Sequence, residues 1–246
     1  MPVPKSLLGR AFTLLGVFSE QRPSATLSEL SRLSGLPLST THRLVRELLQ
    51  WRALDRDARG RYSIGLRLWE LGALSPGSLD LRERALPFLE DLVEVTRHNA
   101  QLAIRDGLDA VFVERLSARD AVSVVSRAGS RLPLHATGVG LVLLAHAPAQ
   151  VQELALASPL RRFTSRTICA PARLREALAQ VRRDGYAISD RQIEMITYSV
   201  AAPVRDAGGE VVAAVSVVLP TGARTDAAVS AVRTCGRAIS RALGAP

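Results

Sequence analysis

Residues 26–62 read TLSELSRLSGLPLSTTHRLVRELLQWRALDRDARGRY, and no other run in the 246-residue chain constrains the fold as tightly. Thr26 followed three residues later by Glu29 is a capping box, in which hydroxyl and carboxylate satisfy orphan N–H groups at a helix start. The helix begun there closes at Gly35, a residue suited to a left-handed cap. Pro37 opens the next helix, because a first-turn N–H has no intrahelical acceptor to lose. That helix extends to about Gln50. On a helical wheel Thr41, Leu44, Val45, Leu48 and Leu49 share one side, while Ser39, Arg43, Arg46, Glu47 and Gln50 share the other. Thr40 and His42 fall on the flanks. After Trp51 the segment ALDRDARGRYSIG alternates around Ala58-Arg59-Gly60, which predicts a tight hairpin with Arg56, Arg59 and Arg61 along or beside its tip. Upstream, Leu7, Leu8, Ala11, Leu14, Leu15 and Phe18 recur at spacings of three and four and predict the buried face of a first helix over 5–19, ended by Gln21-Arg22-Pro23-Ser24.

Helix, turn, proline-opened helix and basic hairpin, in that order, are the parts of a winged helix-turn-helix that reads double-stranded DNA. Free N–H groups and hydroxyls at a helix start suit phosphate, and arginine one turn further in can reach guanine bidentately. The expected DNA contacts are Ser39, Thr40, Thr41, His42, Arg43 and Arg46 on the helix, with Arg59 and Arg61 on the wing. Glu47 either accepts from a cytosine amine or is solvated. A plain three-helix bundle with a polar face is the alternative, and it leaves the order of the parts unexplained. The chain carries a net charge of +9. Eleven cations against six carboxylates up to Ser75, a net of +5, concentrate it in the first third. All basic residues but Lys5 are arginine, so position carries this argument rather than abundance.

The hydrophobic share of 47% is ample for packed cores. Leu66 to Leu74 continues a helical pattern, and Pro76-Gly77-Ser78 interrupts it as a hinge candidate, so the expected domains are 1–75 and 76–246. Leu81 to His98 is helical in spacing, with a kink or a start expected near Pro87. From Gln101 the period changes to two. Strands are expected on either side of Gly107, a third at 122–129, a strand at 186–189 and a hairpin around Asp206 to Gly209. Helices are expected at 137–147, 149–157, 171–184 and 225–243, and the mixture predicts an α+β sensor domain.

Gly138-Val139-Gly140 lacks the third glycine and the strand context of a dinucleotide site. It reads either as a helix N-terminus open to a small anion or as close helix–sheet packing. Cys169 and Cys235 form no disulfide framework, and the four histidines are scattered, so no metal and no cofactor is expected. A Ser216, His135, Asp190 triad has no nucleophile-elbow sequence behind it, so no catalytic residue is assigned and His135 reads as a hydrogen-bonded residue. With no signal peptide and no long apolar run, the expected compartment is the cytoplasm, with no membrane partner.

GLPLSTTHRLVRELL and RYSIGLRLWELG resemble the N-terminal half of the IclR family of bacterial transcriptional regulators. RLPLHATGVGLVLLAH and SVAAPVRDAGGEVVAAVSV resemble signature stretches of its C-terminal half. The resemblance implies two domains. The first is an N-terminal all-α winged helix-turn-helix with a small β wing, binding operator DNA as a homodimer or a tetramer. The second is a C-terminal α+β, GAF-like effector domain that takes a small organic or aromatic acid. It implies a pocket at Gly138 and Val139, with an acid near Asp190, and with Ser199 and Ser216; Gly140 at the same helix start is counted with them, and Leu132, Leu143, Ile193 and Met195 are the expected apolar walls. Where the family commonly has a lysine, a glutamate and a glycine, this chain has Leu141, Gln192 and Ile196, which points to a larger, less polar ligand. The expected function is a regulator, more in the manner of a repressor, and not an enzyme. Two other readings stay open: an enzyme acting on a small acid, and a C-terminal domain that only oligomerises.

Overall fold

The computed structural model describes residues 6–19, 21–72, 74 and 76–245, with the backbone alone at 76–79. It comprises two compact units, Met1–Leu79 and Asp80–Pro246.

In the first unit the helices α1 (Leu7–Leu15), α2 (Leu27–Ser34), α3 (Leu38–Gln50) and α4 (Leu66–Gly72) accompany a small antiparallel sheet. The sheet has the order β1-β3-β2, from β1 (Ser24–Ala25), β2 (Leu54–Arg56) and β3 (Tyr62–Ile64). The capping box forms: Thr26 N donates to Glu29 Oε2 at 2.7 Å and Glu29 N to Thr26 Oγ1 at 3.3 Å. Gly35 closes α2 with φ +69°. Leu14, Leu30, Leu44, Val45, Leu54 and Tyr62 fill the core. The first helix departs from expectation. Leu14 alone of its expected face is fully buried, whereas Leu8 is 72% exposed and Phe12 70%. The core is narrow, since α2, α3 and the sheet already enclose it, so α1 contributes one side chain deeply and leaves an apolar flank in solvent. The 21–24 break also supplies β1, which pairs with β3 through Ser24↔Ser63 and Ala25↔Tyr62.

The segment expected as a hinge begins a helix instead. α5 (Pro76–Thr96) starts at Pro76, where a proline is tolerated, and runs through Pro87 without interruption.

In the second unit six strands make one antiparallel sheet, ordered β6-β5-β4-β9-β8-β7. They are β4 (Asn99–Asp106), β5 (Asp109–Leu116), β6 (Arg131–Pro133), β7 (Ala187–Asp190), β8 (Thr197–Arg205) and β9 (Val211–Pro220). Side chains alternate between two cores, as a period of two requires. Ala103, Ala201 and Ala214 pack with α6 (Gly138–Ala145), α7 (Ala149–Ala157) and α8 (Pro171–Asp184). Leu102, Val200, Ala202, Val215 and Val217 pack with α5 and α9 (Thr225–Ala242). Helices therefore cover both faces of the sheet. Residues 122–129 are not the third strand; β6 takes that place against β5. Only its last residue meets β5 through the backbone, Gly129 N donating to Phe112 O at 2.7 Å; side chains hold the rest, with Asn99 Nδ2 donating to Val122 O at 2.7 Å and Gln101 Nε2 to Ser126 Oγ at 2.5 Å.

Candidate functional site

Helix α3 presents Ser39, His42, Arg43, Arg46, Glu47 and Gln50 to solvent, and Thr40 is half-buried. Among the described residues no ion pair engages Arg43, Arg46 or Arg59. Thr41 corrects the expectation of a DNA contact: it is fully buried, and its Oγ1 donates to Pro37 O at 3.1 Å, as its place on the packing face of the wheel requires. The wing turns on Asp57. Its Oδ1 accepts from Arg59 N at 2.9 Å and Arg61 N at 2.8 Å, and Gly60 adopts φ +78°. That turn leaves Arg59 exposed at the tip. Arg61 is engaged within the unit. Its guanidinium donates to Ser24 Oγ and Ser24 O, both at 2.9 Å, and lies 3.4 Å from Glu29, so it fastens β1 to the wing. Arg56 instead lies over the Tyr62 ring, 5.5 Å from its centroid.

The second unit holds a half-open cavity beside the start of α6, with about 420 Å³ of space between its walls when the open solvent at its mouth is included. Phe112, Val124, Val125, Leu132, Ala136, Val139, Ile193 and Val218 form its apolar lining. Gln101, Ser126, Thr137, Ser189, Gln192, Glu194, Thr197 and Ser199 form the polar lining, with Gly138 at the helix start. Thr137 caps α6 by accepting from Gly140 N at 3.0 Å. The N–H groups of Gly138 and Val139 lie in the first turn, where a helix supplies no acceptor. A Cβ on Gly138 would fall 2.7 Å from Ser199 Oγ, so the missing side chain lets helix and strand meet at the cavity wall. Gln192 is 5% exposed. Its Oε1 accepts from Ile168 N at 3.2 Å and its carbonyl accepts from Thr167 Oγ1 at 2.7 Å. Across β7 and β8, Ser189 pairs with Ser199, which places both on the same wall.

Leu132, Gly138, Val139, Ile193 and Ser199 thus line the cavity as expected, and five expected residues do not. Gly140 is a packing glycine, because a Cβ there would fall 2.3 Å from Leu134 O. Leu143 lies in the core, Met195 is half-exposed outside, and Ser216 sits behind the wall donating to Gln101 Oε1 at 3.3 Å. Asp190 is paired with Arg191 at 2.5 Å and Arg166 at 3.8 Å; the Arg191 hydrogen bond holds its carboxyl below the usual range. Of the positions that differ from the family pattern, Leu141 is buried in the core and Ile196 is 56% exposed, so neither enlarges the cavity. Gln101, Gln192, Glu194 and Thr197 were not selected as lining residues from sequence. Thr197 could have been found from its period-two relation to Ser199, whereas nothing local marks Val124 to Ser126.

His135 and His146 serve as donors. His135 Nε2 lies 2.9 Å from Arg161 O, and His146 Nδ1 lies 2.9 Å from Val142 O. The carbonyl partner requires the proton to sit on that nitrogen in each case. Burial holds both imidazoles below their ordinary 6.5, outweighing the carbonyl bonds. A depressed folded-state value means protonation favours unfolding. This contribution is therefore complete above pH 6.5 and declines as the pH falls through the folded-state values. The melting midpoint of the second unit, followed by scanning calorimetry, is expected to fall from about pH 7 to about pH 5.5, and His146→Asn, which keeps a donor at that place, flattens the fall. A midpoint that rises on acidification would contradict the assignment. Cys235 accompanies them as an inert buried thiol, pushed up to about 12 by burial.

Among the described residues no group of three or more His, Cys, Asp or Glu is placed to hold a metal ion, and no helix is long and apolar enough to cross a membrane. Ser216, His135 and Asp190 are each engaged with other partners.

A winged helix with an exposed arginine face, on a chain whose second unit encloses a small polar-ended cavity, defines a DNA-binding regulator with a sensor domain. The chain belongs to the IclR family of bacterial transcriptional regulators: residues 7–58 match the IclR helix-turn-helix domain and residues 74–241 the bacterial transcriptional regulator IclR C-terminal domain. It is 35% identical to the HTH-type transcriptional regulator XynR of Escherichia coli K12 over the whole of both chains. It is 33% identical to the transcriptional repressor AllR of the same strain, covering 96% of this chain and 90% of that one. Among solved structures, an IclR homolog from Microbacterium hydrocarbonoxydans complexed with 4-hydroxybenzoate superposes with a TM-score of 0.91 at 37% identity, over 97% of this chain and 99% of that chain.

Proposed function

We propose that this regulator acts in the cytoplasm as a repressor, and that it docks through Ser39, Thr40, His42, Arg43 and Arg46 in the major groove of its operator, with Arg59 on the adjacent backbone. The cavity beside α6 binds a small aromatic or organic acid, whose carboxylate meets the Gly138 and Val139 N–H groups and Ser199. What carries this reading is the pairing of two features: an exposed arginine face on α3 without ion-pair partners among the described residues, and a helix start opening into an apolar-walled cavity. The bound 4-hydroxybenzoate of the similar Microbacterium protein supports the ligand class. Leu8 and Phe12 on α1, with Leu66 and Trp69 on α4, leave apolar surface uncovered, which supports a homodimer and hence paired half-sites.

Regulation requires that the ligand bind the DNA-competent and DNA-incompetent arrangements with different affinity. A gel-shift titration on operator duplex selected from random sequence, with and without 4-hydroxybenzoate, measures that difference. A shift of about tenfold in apparent affinity is expected. Saturable ligand binding with an unchanged DNA isotherm would reduce the second unit to a passive binding module, and catalytic turnover of the acid would replace this reading with an enzyme.

A further inference from the structure

Glu194 is the one ionisable side chain on the cavity wall, and no cation faces it there among the described residues. We infer that Glu194 is a specificity-determining residue: it selects a monocarboxylate that carries a hydrogen-bond donor, such as a phenolic hydroxyl or an amine, at the end opposite its carboxylate, and it excludes dicarboxylates. The inference rests on the acid-binding reading of the cavity given above.

The geometry sets the two ends apart. Ser199 marks the anion end, because its Oγ lies 2.7 Å from the place of a Gly138 Cβ. Thr197, two residues earlier on β8 and lining the same cavity, marks the other end. Two strand residues span about 7 Å, the reach of one ring with substituents at both ends. Glu194 is tied to the Thr197 end: its carbonyl accepts from Thr197 N at 3.3 Å and from Thr197 Oγ1 at 3.4 Å. Among the described residues its carboxylate has a single, long protein donor, Val125 N at 3.4 Å to Oε2, and Oε1 has none. An ionised carboxylate can only accept. It therefore rewards a donor on the ligand and repels a second anion, while Ser199 and the two N–H groups serve as donors at the far end.

Calorimetric titration of the full-length protein with 4-hydroxybenzoate, benzoate and terephthalate tests this. The wild type is expected to bind 4-hydroxybenzoate about tenfold tighter than benzoate, and terephthalate at least about tenfold more weakly than benzoate. Glu194→Gln keeps an acceptor for Val125 N–H and removes the charge. It is expected to lose most of the hydroxyl advantage over benzoate and to admit terephthalate. Glu194→Asp, which keeps the charge on a shorter stem, is expected to go on rejecting terephthalate while losing the hydroxyl advantage. Unchanged ligand ratios in both variants would overturn the assignment and leave the acid site standing. Loss of benzoate along with the others would also overturn it, since Glu194 would then serve to hold the Val125 segment. Failure of all three acids to bind the wild type would overturn the acid site itself, and this inference with it.

Discussion

Replacing Arg43 with alanine is expected to lower affinity for a selected operator duplex by about 10- to 100-fold and to relax base preference at one position, the cost of one bidentate base contact. Arg43 stands one turn into α3 on the same face as Ser39 and Arg46, exposed and without an ion pair among the described residues. Its removal deletes no packing, because Leu44 and Val45 carry the buried face. Arg59→Ala is expected to behave differently. Arg59 sits at a turn built by Asp57 and Gly60, and the proposed docking sets its guanidinium against phosphate rather than base edges. It should weaken specific and random DNA alike and lower the slope of log affinity against log salt by about one. Fluorescence anisotropy over a salt series separates the two. If Arg59→Ala relaxed base preference while Arg43→Ala weakened all sequences equally, the docking face would be wrongly placed. Arg61→Ala is a third case: losing its bonds to Ser24 and Glu29 loosens the wing, so it lowers the melting point of the first unit along with DNA affinity.

The second large effect is expected at Gly140. All eight residues of α6 are buried, and a Cβ at 140 would meet Leu134 O at 2.3 Å, Leu134 Cα at 2.5 Å and the capping Thr137 Oγ1 at 2.5 Å. Two of these atoms are backbone of the 3-10 turn at Leu134–Ala136, which cannot swing aside as a side-chain tip can. Gly140→Ala therefore forces α6 off the sheet or breaks its cap, costing about 3 kcal/mol in the second unit. Urea denaturation followed by circular dichroism reads this, with Gly107→Ala as the comparison. Gly107 has open space around it and only a left-handed φ of +59°, so its cost is about 1 kcal/mol. Equal midpoints for the two variants would show that the turn yields to α6, contrary to the packing described.

Much of the fold is legible in local chemistry. The capping box at Thr26 and Glu29, the left-handed Gly35 and the Asp57 turn involve groups within four residues of each other, so their geometry follows from the local sequence alone. Helices α7 and α8 begin and end as their apolar spacing and flanking prolines predict. The exposed side of α3 is likewise a property of a 3.6-residue period, which is why the sequence alone separates Arg43 and Arg46 from Leu44 and Val45. That same period puts Thr41 inside, so naming it as a DNA contact ran against the wheel.

Other features depended on partners distant in the chain. Whether Gly138 or Gly140 faces a ligand is decided by Ser199 and Leu134, which approach one glycine from a strand and the other from a turn. Residues 122–129 have the composition of a strand, yet β6 takes the edge beside β5 and Asn99 and Gln101 hold the displaced segment over the cavity. Asp190 was drawn away by Arg191 and Arg166, and Gln101 was brought in from β4. By itself the sequence determined the reader domain's helices, their caps and the free face of α3, because these follow from bonds between near neighbours. The tertiary structure alone decided which polar groups surround the cavity and left Glu194 there without a cation among the described residues, because a cavity wall is assembled from strands and loops that meet only when the sheet closes.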